Sequence, residues 1–323
     1  MIDWPLVGAR FVHLTALMIL AGSSLFALLI AGGVPPRRWL IPAAAAAALS
    51  AVGWLFAVAA AMSDRSLAAV DAATLRLVLG ATAFGHVWKV QLALAGATLA
   101  VAAWRGGRGC SVLVFALAAA LLTGVAAVGH AGMAGGSTGL LHIGNDAVHL
   151  LAAAVWLGGL VPLAALLYRA SSGNGSPPAT LHAIERFSTM AIAAVAVVLL
   201  TGTANLQWLL NSAAGIASDW GRVLAIKLGL VAGLLVLAAI NRLILLPRLH
   251  SAASAAREGA AVALYRTVLF EQMVAVMVLT AASLLGTLPP PVAAASPPRA
   301  FQQVVGGAVG SPQEAEIPMP VAV

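Results

Sequence analysis

Three histidines, a methionine and an aspartate lie close together in one Gly-rich segment, GHAGMAGGSTGLLHIGNDAVHLLAAAVWLGGL (129–160). They are His130, Met133, His142, Asp146 and His149. His142, Asp146 and His149 follow an i, i+4, i+7 spacing, which places them on one face if a helix extends that far. Imidazole, thioether and carboxylate groups suit a borderline or soft metal, and imidazole with thioether favours copper over magnesium or calcium. The segment therefore predicts a copper site.

Two further histidines begin predicted helices at the same side of the chain. His13 lies in the first turn of the first helix and His86 in the first turn of the third. Lys89 follows His86 by one turn, and its charge disfavours a cation there. We therefore predict His13, His130 and His149 as the main copper ligands, with His86, Met133, His142 and Asp146 as secondary candidates. For any one of these histidines, the alternative is a hydrogen-bonded side chain at the membrane interface that binds no metal.

The composition requires elements that cross a membrane. Hydrophobic residues make up 62% of the chain, charged residues 8%, and the mean hydropathy is +1.01. The chain is therefore predicted to be an all-α, polytopic membrane protein. A net charge of +7 without a basic cluster or interleaved aromatics makes no nucleic-acid surface. The single cysteine, Cys110, excludes an internal disulfide and a paired-thiolate metal site.

Eight apolar runs are long enough to cross the roughly 30 Å of hydrocarbon in a bilayer. They lie near residues 8–33, 40–62, 84–104, 111–129, 146–168, 187–210, 221–246 and 266–287. We predict a transmembrane domain over 1–288, with the first run retained as a helix. The Pro- and Gly-rich stretch 289–323 is expected to be a disordered tail.

The basic residues predict the orientation. One set of alternate connections holds ten: Arg37, Arg38, Arg105, Arg108, Arg169, Arg186, Arg242, Arg248, Arg257 and Arg266. The other set holds four: Arg65, Arg76, Arg222 and Arg299. Because cytoplasmic loops carry the excess of Lys and Arg, both termini are predicted to lie on the outer face of the membrane.

The two halves of the chain resemble each other at an offset of 136 residues. HLTALMILAG from His13 matches HLLAAAVWLG from His149, and FGHVWKVQLAL from Phe84 matches WGRVLAIKLGL from Trp220. The pattern predicts a four-plus-four duplication with parallel halves and function at their interface. Coincidental similarity between apolar helices is the alternative.

Other polar residues fall within the predicted helices. Glu271 in the eighth helix is predicted to pair with Arg242 in the seventh, because an unpaired charge there is costly. Proton transfer is the alternative role for Glu271. Lys227 and Asn205 are candidates for a polar path through the outer half.

Several motifs together resemble the copper resistance protein D (CopD) family. They are GHA at 129–131, DAVHLLAAAVWLGGL at 146–160, RFSTMAIAAVAVVLLTG at 186–202, WGRVLAIKLGLV at 220–231 and NRLILLPRL at 241–249. The resemblance covers most of residues 1–288. It implies an eight-helix inner-membrane protein of copper resistance that moves copper towards the cytoplasm. It also implies a partner, a small periplasmic copper-binding protein like the family's protein C. The tail has one methionine, Met319, and no histidine, so copper delivery is expected to fall to that partner.

Two other function classes stay open. Paired histidines on separate helices can be axial haem ligands, so His13 and His149 also fit a cytochrome b-like electron-transfer protein. A structural or assembly role without metal is the third reading. The sequence contains no G-x-x-x-x-G-K-[ST] loop, which disfavours ATP-driven pumping by this chain alone. We therefore expect copper transport rather than enzymatic catalysis.

Overall fold

Eight helices of the protein are long and apolar enough to cross a membrane. The computed structural model describes residues 2–33, 35–104, 106–129, 136–171, 177–209, 213–250 and 254–291, and these contain no strand. The spans, numbered first to eighth below, are Trp4–Ala31, Arg37–Ser63, Ala83–Ala103, Arg108–Val128, Gly136–Ala170, Pro178–Leu209, Asp219–Leu249 and Glu258–Leu285. The all-α class and the eight predicted spans are confirmed.

Large apolar side chains cover much of the outer surface of the bundle. Leu49 and Leu200 are each 73% exposed, and Leu243 and Met273 are exposed as well. In water such a surface would be costly, whereas in hydrocarbon a helix satisfies its own backbone hydrogen bonds and its apolar side chains face lipid. The exposed apolar surface therefore marks the face that the bilayer covers.

The first span is the central helix of the bundle. It packs against the second, fourth, fifth and eighth spans, and Leu17 and Leu20 on it are fully buried. Its crossing with the fifth span has almost no side chain between the two backbones. A Cβ built on Gly22 would lie 2.6 Å from Gly158 Cα, so only glycine fits there. Small residues at a crossing allow close approach, which replaces the hydrophobic effect as the driving force inside lipid.

The two halves of the bundle differ in how tightly they close. The second and third spans pack together, and Trp54 and Trp88 meet between them with ring centroids 4.8 Å apart. The sixth and seventh spans hardly touch each other in the described part of the chain. Near the ends of these two spans, Arg242 Nη1 donates to Ser188 Oγ at 3.2 Å, and His250 Nε2 lies 3.1 Å from Glu185 Oε1. Along the rest of their described length, the sixth and seventh spans do not pack against each other.

Several local features do not follow from the apolar runs. A short π-helical turn ends the first span at Ala27–Ala31, and two others interrupt the fifth and seventh spans at Ala154–Gly158 and Asn241–Leu245. A separate short helix, Ala72–Ala81, follows the second span and is capped by Asp71. Hydrogen bonds from the Thr74 backbone and hydroxyl, with Arg65 nearby, lower the pKa of Asp71. The tail is predicted over 289–323, and its residues after 291 lie outside the described part of the chain.

Candidate functional site

A cavity of about 300 Å³ lies between the first, fifth, sixth, seventh and eighth spans. Leucines and valines make up half of the residues that line it. The charged and strongly polar residues that line it are Arg10, His142, Asp146, His149, Asn205 and Lys227. The cavity occupies the part of the bundle where the sixth and seventh spans fail to close, so it exists because that helix pair is not packed.

The His149 side chain lines this cavity, and one of its ring nitrogens is fixed by a hydrogen bond. Its Nδ1 lies 2.9 Å from Thr201 Oγ1 on the sixth span. The Thr201 hydroxyl donates its own proton to the Val197 carbonyl at 2.6 Å, so its oxygen accepts from His149. Nδ1 of His149 must then carry the proton, and Nε2 is left with a lone pair. A neutral imidazole held in one tautomer by a hydrogen bond is the usual form of a metal-ligating histidine.

Asp146 is held one turn before His149 by an amide network. Asn205 Nδ2 donates to Asp146 Oδ1 at 3.1 Å. Asn145 Nδ2 donates to Asn205 Oδ1 at 2.8 Å and to the Thr201 carbonyl at 2.9 Å. These bonds tie the fifth span to the sixth and fix the carboxylate at the cavity wall.

His142 is the outermost residue of the predicted i, i+4, i+7 face. The fifth span begins at Gly136, so the helix extends far enough to place His142, Asp146 and His149 together on the cavity side. The His142 ring stacks on Trp208 of the sixth span at 4.8 Å between centroids, and the residue is 5% exposed. The sequence spacing therefore identified three residues that share one cavity.

Two cations line the same cavity. Arg10 belongs to the first span and Lys227 to the seventh, and both interact electrostatically with Asp146. The Arg10 guanidinium lies 4.6 Å from the Trp54 ring centroid and packs against Gly286. Lys227 and Asn205 were predicted to line a polar path, and both are found at this cavity wall.

His13 faces a different part of the bundle. Its Nδ1 donates to the Ala47 carbonyl at 3.0 Å and also lies 3.1 Å from Ser50 Oγ, both on the second span. The residue is 0% exposed, and its ring is 5.7 Å from Trp54 and 5.9 Å from Trp88. The neighbouring positions Arg10 and Leu14 line the cavity, but His13 does not. His13 therefore does not line the cavity that His149 lines, because its ring turns towards the second and third spans. Its role as a copper ligand stays a prediction.

The other predicted ligands are not found at this cavity in the described structure. His130 and Met133 lie outside the described residues. His86 is exposed, its Nδ1 lies 2.8 Å from the Thr82 carbonyl, and it does not line the cavity. Within the described part of the chain, no three His, Cys, Asp or Glu side chains are grouped closely enough to hold a metal ion.

Glu271 has a different partner from the one predicted. Its Oε1 accepts from Asn241 Nδ2 at 3.0 Å, and Asn241 Oδ1 accepts from the Thr267 hydroxyl at 2.5 Å. Arg242 reaches Ser188 instead, and the predicted Glu271–Arg242 pair is absent among the described ion pairs. The π-helical turn that begins at Asn241 changes the helix register here, and residue 241 rather than 242 contacts the acid.

Three residues at the site were not singled out from the sequence. Arg10 carries a detectable signal, because it precedes His13 by the same three residues that separate Asp146 from His149. Thr201 and Trp220 carry no such signal, because single threonines and tryptophans are common in apolar membrane helices. Their roles depend on which face of the sixth and seventh spans turns towards the cavity.

Comparison with known proteins identifies the family. The family model described as "Copper resistance protein D-like, N-terminal domain" matches residues 1–140, and the model "Copper resistance protein D" matches residues 181–285. No solved structure matches the chain.

Three curated proteins are similar to the chain. Inner membrane protein YebZ of Escherichia coli K12 is 31% identical over 258 residues, which are 77% of this chain and 87% of YebZ. Copper resistance protein D of Pseudomonas syringae pv. tomato is 29% identical over 87% of this chain and 96% of its own length. Copper transport protein CutJ of Bacillus subtilis 168 is 31% identical over 67% of this chain and 38% of CutJ. The chain belongs to the copper resistance protein D family.

Proposed function

We propose that this protein moves copper across the inner membrane through the cavity between the first, fifth, sixth, seventh and eighth spans. The proposal draws on the family and on the names of its relatives, which are a copper resistance protein, a copper transport protein and an inner membrane protein. Copper is the cargo here and not a resident cofactor.

The cavity face of the fifth span is the observation that carries the proposal. His142, Asp146 and His149 all line one cavity, and the contact with the Thr201 hydroxyl leaves Nε2 of His149 as the nitrogen with the lone pair. Imidazole and carboxylate ligands suit copper, and a copper–nitrogen bond of about 2 Å, like that of zinc, requires the side chains to draw together when copper enters. We further propose that His130 and Met133, from the connection just before the fifth span, complete the ligand set.

The direction and the delivery of copper follow from the topology. With both termini periplasmic, the cavity lies in the outer half of the membrane and is the entry site. A small periplasmic copper-binding protein like the family's protein C is proposed to deliver copper to it. Transport, rather than chemical conversion of a substrate, is the role of this protein.

Copper uptake into proteoliposomes tests the proposal. The purified full-length protein is reconstituted, copper is added outside, and a copper-sensitive dye reports accumulation inside. We expect uptake by the wild type and unchanged uptake by His86→Ala. Uptake by His149→Ala should be at least about tenfold slower, because the variant has lost one copper ligand. Equal uptake by wild-type and empty vesicles would reject the transport role.

The absorption spectrum of the same sample decides the haem alternative. Both His13 and His149 have a hydrogen-bonded Nδ1, which is compatible with ligation through Nε2. They face different parts of the bundle, however, and do not share a cavity. We therefore expect purified protein to show no Soret band, and a stoichiometric band would replace copper transport with electron transfer.

A further inference from the structure

We infer that the cavity also holds an anion-binding site formed by Arg10, Lys227 and Trp220. The expected ligand is a small, singly charged anionic group whose oxygen or halide atoms accept hydrogen bonds. This inference does not depend on copper transport, because it follows from the donors and charges of the cavity alone.

Two donors of the cavity residues have no partner. Trp220 is 4% exposed, and its Nε1 is buried without a hydrogen-bond acceptor in the described structure. The Nε of Arg10 is likewise buried and unpartnered among the described residues. Leaving a buried donor unsatisfied is unfavourable, because the donor has lost its hydrogen bonds to water without gaining others. Both residues line the same cavity, and because the two nitrogens are buried, the side chains must turn before one acceptor-bearing ligand satisfies both donors.

The cationic side chains of the cavity also favour an anion. Arg10 and Lys227 are its cations, and Asp146 is the acid among the described lining residues. Asp146 forms no ion pair within 4 Å with either cation among the ion pairs of the described residues. Its Oδ1 is engaged by Asn205 instead. With Arg10, Lys227 and Asp146 ionised and the histidines neutral, the described lining carries one excess positive charge. A bound anion would offset this charge and would also lower the repulsion that a copper ion meets in the same cavity.

Two sources supply the same chemistry. A free anion such as formate or chloride could enter from the aqueous end of the cavity. The phosphate of an anionic lipid could instead enter between the sixth and seventh spans, which hardly touch and whose cavity-facing residues Leu199 and Leu228 are also exposed on the outer surface. In both cases the negative group lies between Arg10, Lys227 and Trp220.

Thermal stability of the full-length protein tests the inference for a free anion. The purified protein is placed in a zwitterionic buffer of low ionic strength, and sodium formate is titrated while the melting temperature is recorded. We expect a saturable rise for the wild type and for Lys89→Gln, whose lysine is exposed and remote from the cavity. For Lys227→Gln and Arg10→Gln the midpoint should move at least about tenfold, since a hydrogen bond to a charged group contributes about 1.5–3 kcal/mol.

Native mass spectrometry tests the lipid source. Protein from nanodiscs containing phosphatidylglycerol and phosphatidylcholine is expected to retain one phosphatidylglycerol in the wild type and none in Lys227→Gln if the lipid is the occupant. A formate effect or selective lipid retention supports the site and identifies the source. If neither occurs in the wild type, or if both persist equally in Lys227→Gln and Arg10→Gln, the inference is overturned. The wild-type arms decide it even if a variant does not fold, and they do not involve copper.

Discussion

Gly22 and Gly158 lie directly against each other where the first and fifth spans cross. A Cβ on Gly22 would meet the Ala154 carbonyl oxygen at 2.5 Å, and a Cβ on Gly158 would collide with the Met18 carbonyl oxygen. Gly22 and Gly158 are 136 residues apart, and so are Met18 and Ala154. The contact is therefore reciprocal, as at a two-fold axis, where residue i meets j and j meets i. A duplicated chain would produce this relation, and the internal repeat stays a prediction.

Substitution of either glycine should destabilise the bundle. Gly22→Leu and Gly158→Leu force a side chain into a backbone contact, and overpacking costs about 1–3 kcal/mol. We expect both variants to lower the melting temperature in detergent by similar amounts. Gly96→Leu is the control, because a Cβ there meets nothing within 4 Å. If Gly96→Leu is as damaging as the other two, the close crossing is not the cause.

Thr201 should tune copper binding without touching copper. Thr201→Val removes the hydroxyl that holds Nδ1 of His149, and loss of such a hydrogen bond lowers metal affinity about 10- to 100-fold. Competition with a copper chelator measures the change. Thr280→Val is the matched control, since its exposed hydroxyl only bonds the Val276 carbonyl. Unchanged affinity in Thr201→Val would show that the His149 tautomer is not set by this contact.

His13 should contribute to stability more than to copper binding. His13→Ala leaves a void beside Trp54 and Trp88, and large-to-small changes in a packed core cost about 2–5 kcal/mol. We expect a clearly lower melting temperature and a copper affinity within about twofold of the wild type, a change of about 0.4 kcal/mol or less. A strong loss of copper binding with intact stability would restore His13 as a ligand.

Glu271 depends on Asn241 and not on Arg242. Asn241→Ala removes the amide that satisfies the buried carboxyl, which should cost about 1–3 kcal/mol. Arg242→Gln loses a hydrogen bond to Ser188 and should cost less. Thermal unfolding of the two variants side by side measures the difference. A larger loss for Arg242→Gln would support the partner that the sequence predicts.

Apolar runs predicted the spans because membrane helices need long stretches of hydrophobic residues. The i, i+4, i+7 spacing also identified the cavity face of the fifth span correctly, since a helix fixes which residues share a side. Spacing within one helix says nothing about neighbouring helices. His13 and His149 occupy corresponding positions at the offset of 136 residues, and both lie inside their spans rather than at the first turn. His13 nevertheless turns towards Trp54 and Trp88, because the second and third spans pack together and the sixth and seventh do not.

Local backbone irregularities were beyond the reach of apolar patterns. The π-helical turn at Asn241–Leu245 puts residue 241 rather than 242 against Glu271, and no residue type in NRLIL predicts it. Arg10 was detectable only by comparing the two halves, where it corresponds to Asp146. Its contact with Gly286 comes from the packing of the first span on the eighth.

Copper titration of four purified proteins tests the central claim most directly. The wild type, His149→Ala, the double variant His142→Ala/Asp146→Asn, and His86→Ala are titrated against a competing copper chelator. We predict one high-affinity copper in the wild type and in His86→Ala, and an affinity lower by at least about tenfold, or 1.4 kcal/mol, in the two cavity variants. Folding of each protein is checked by its melting temperature. Full copper affinity in folded His149→Ala and in the folded double variant would contradict the assignment of copper to this cavity.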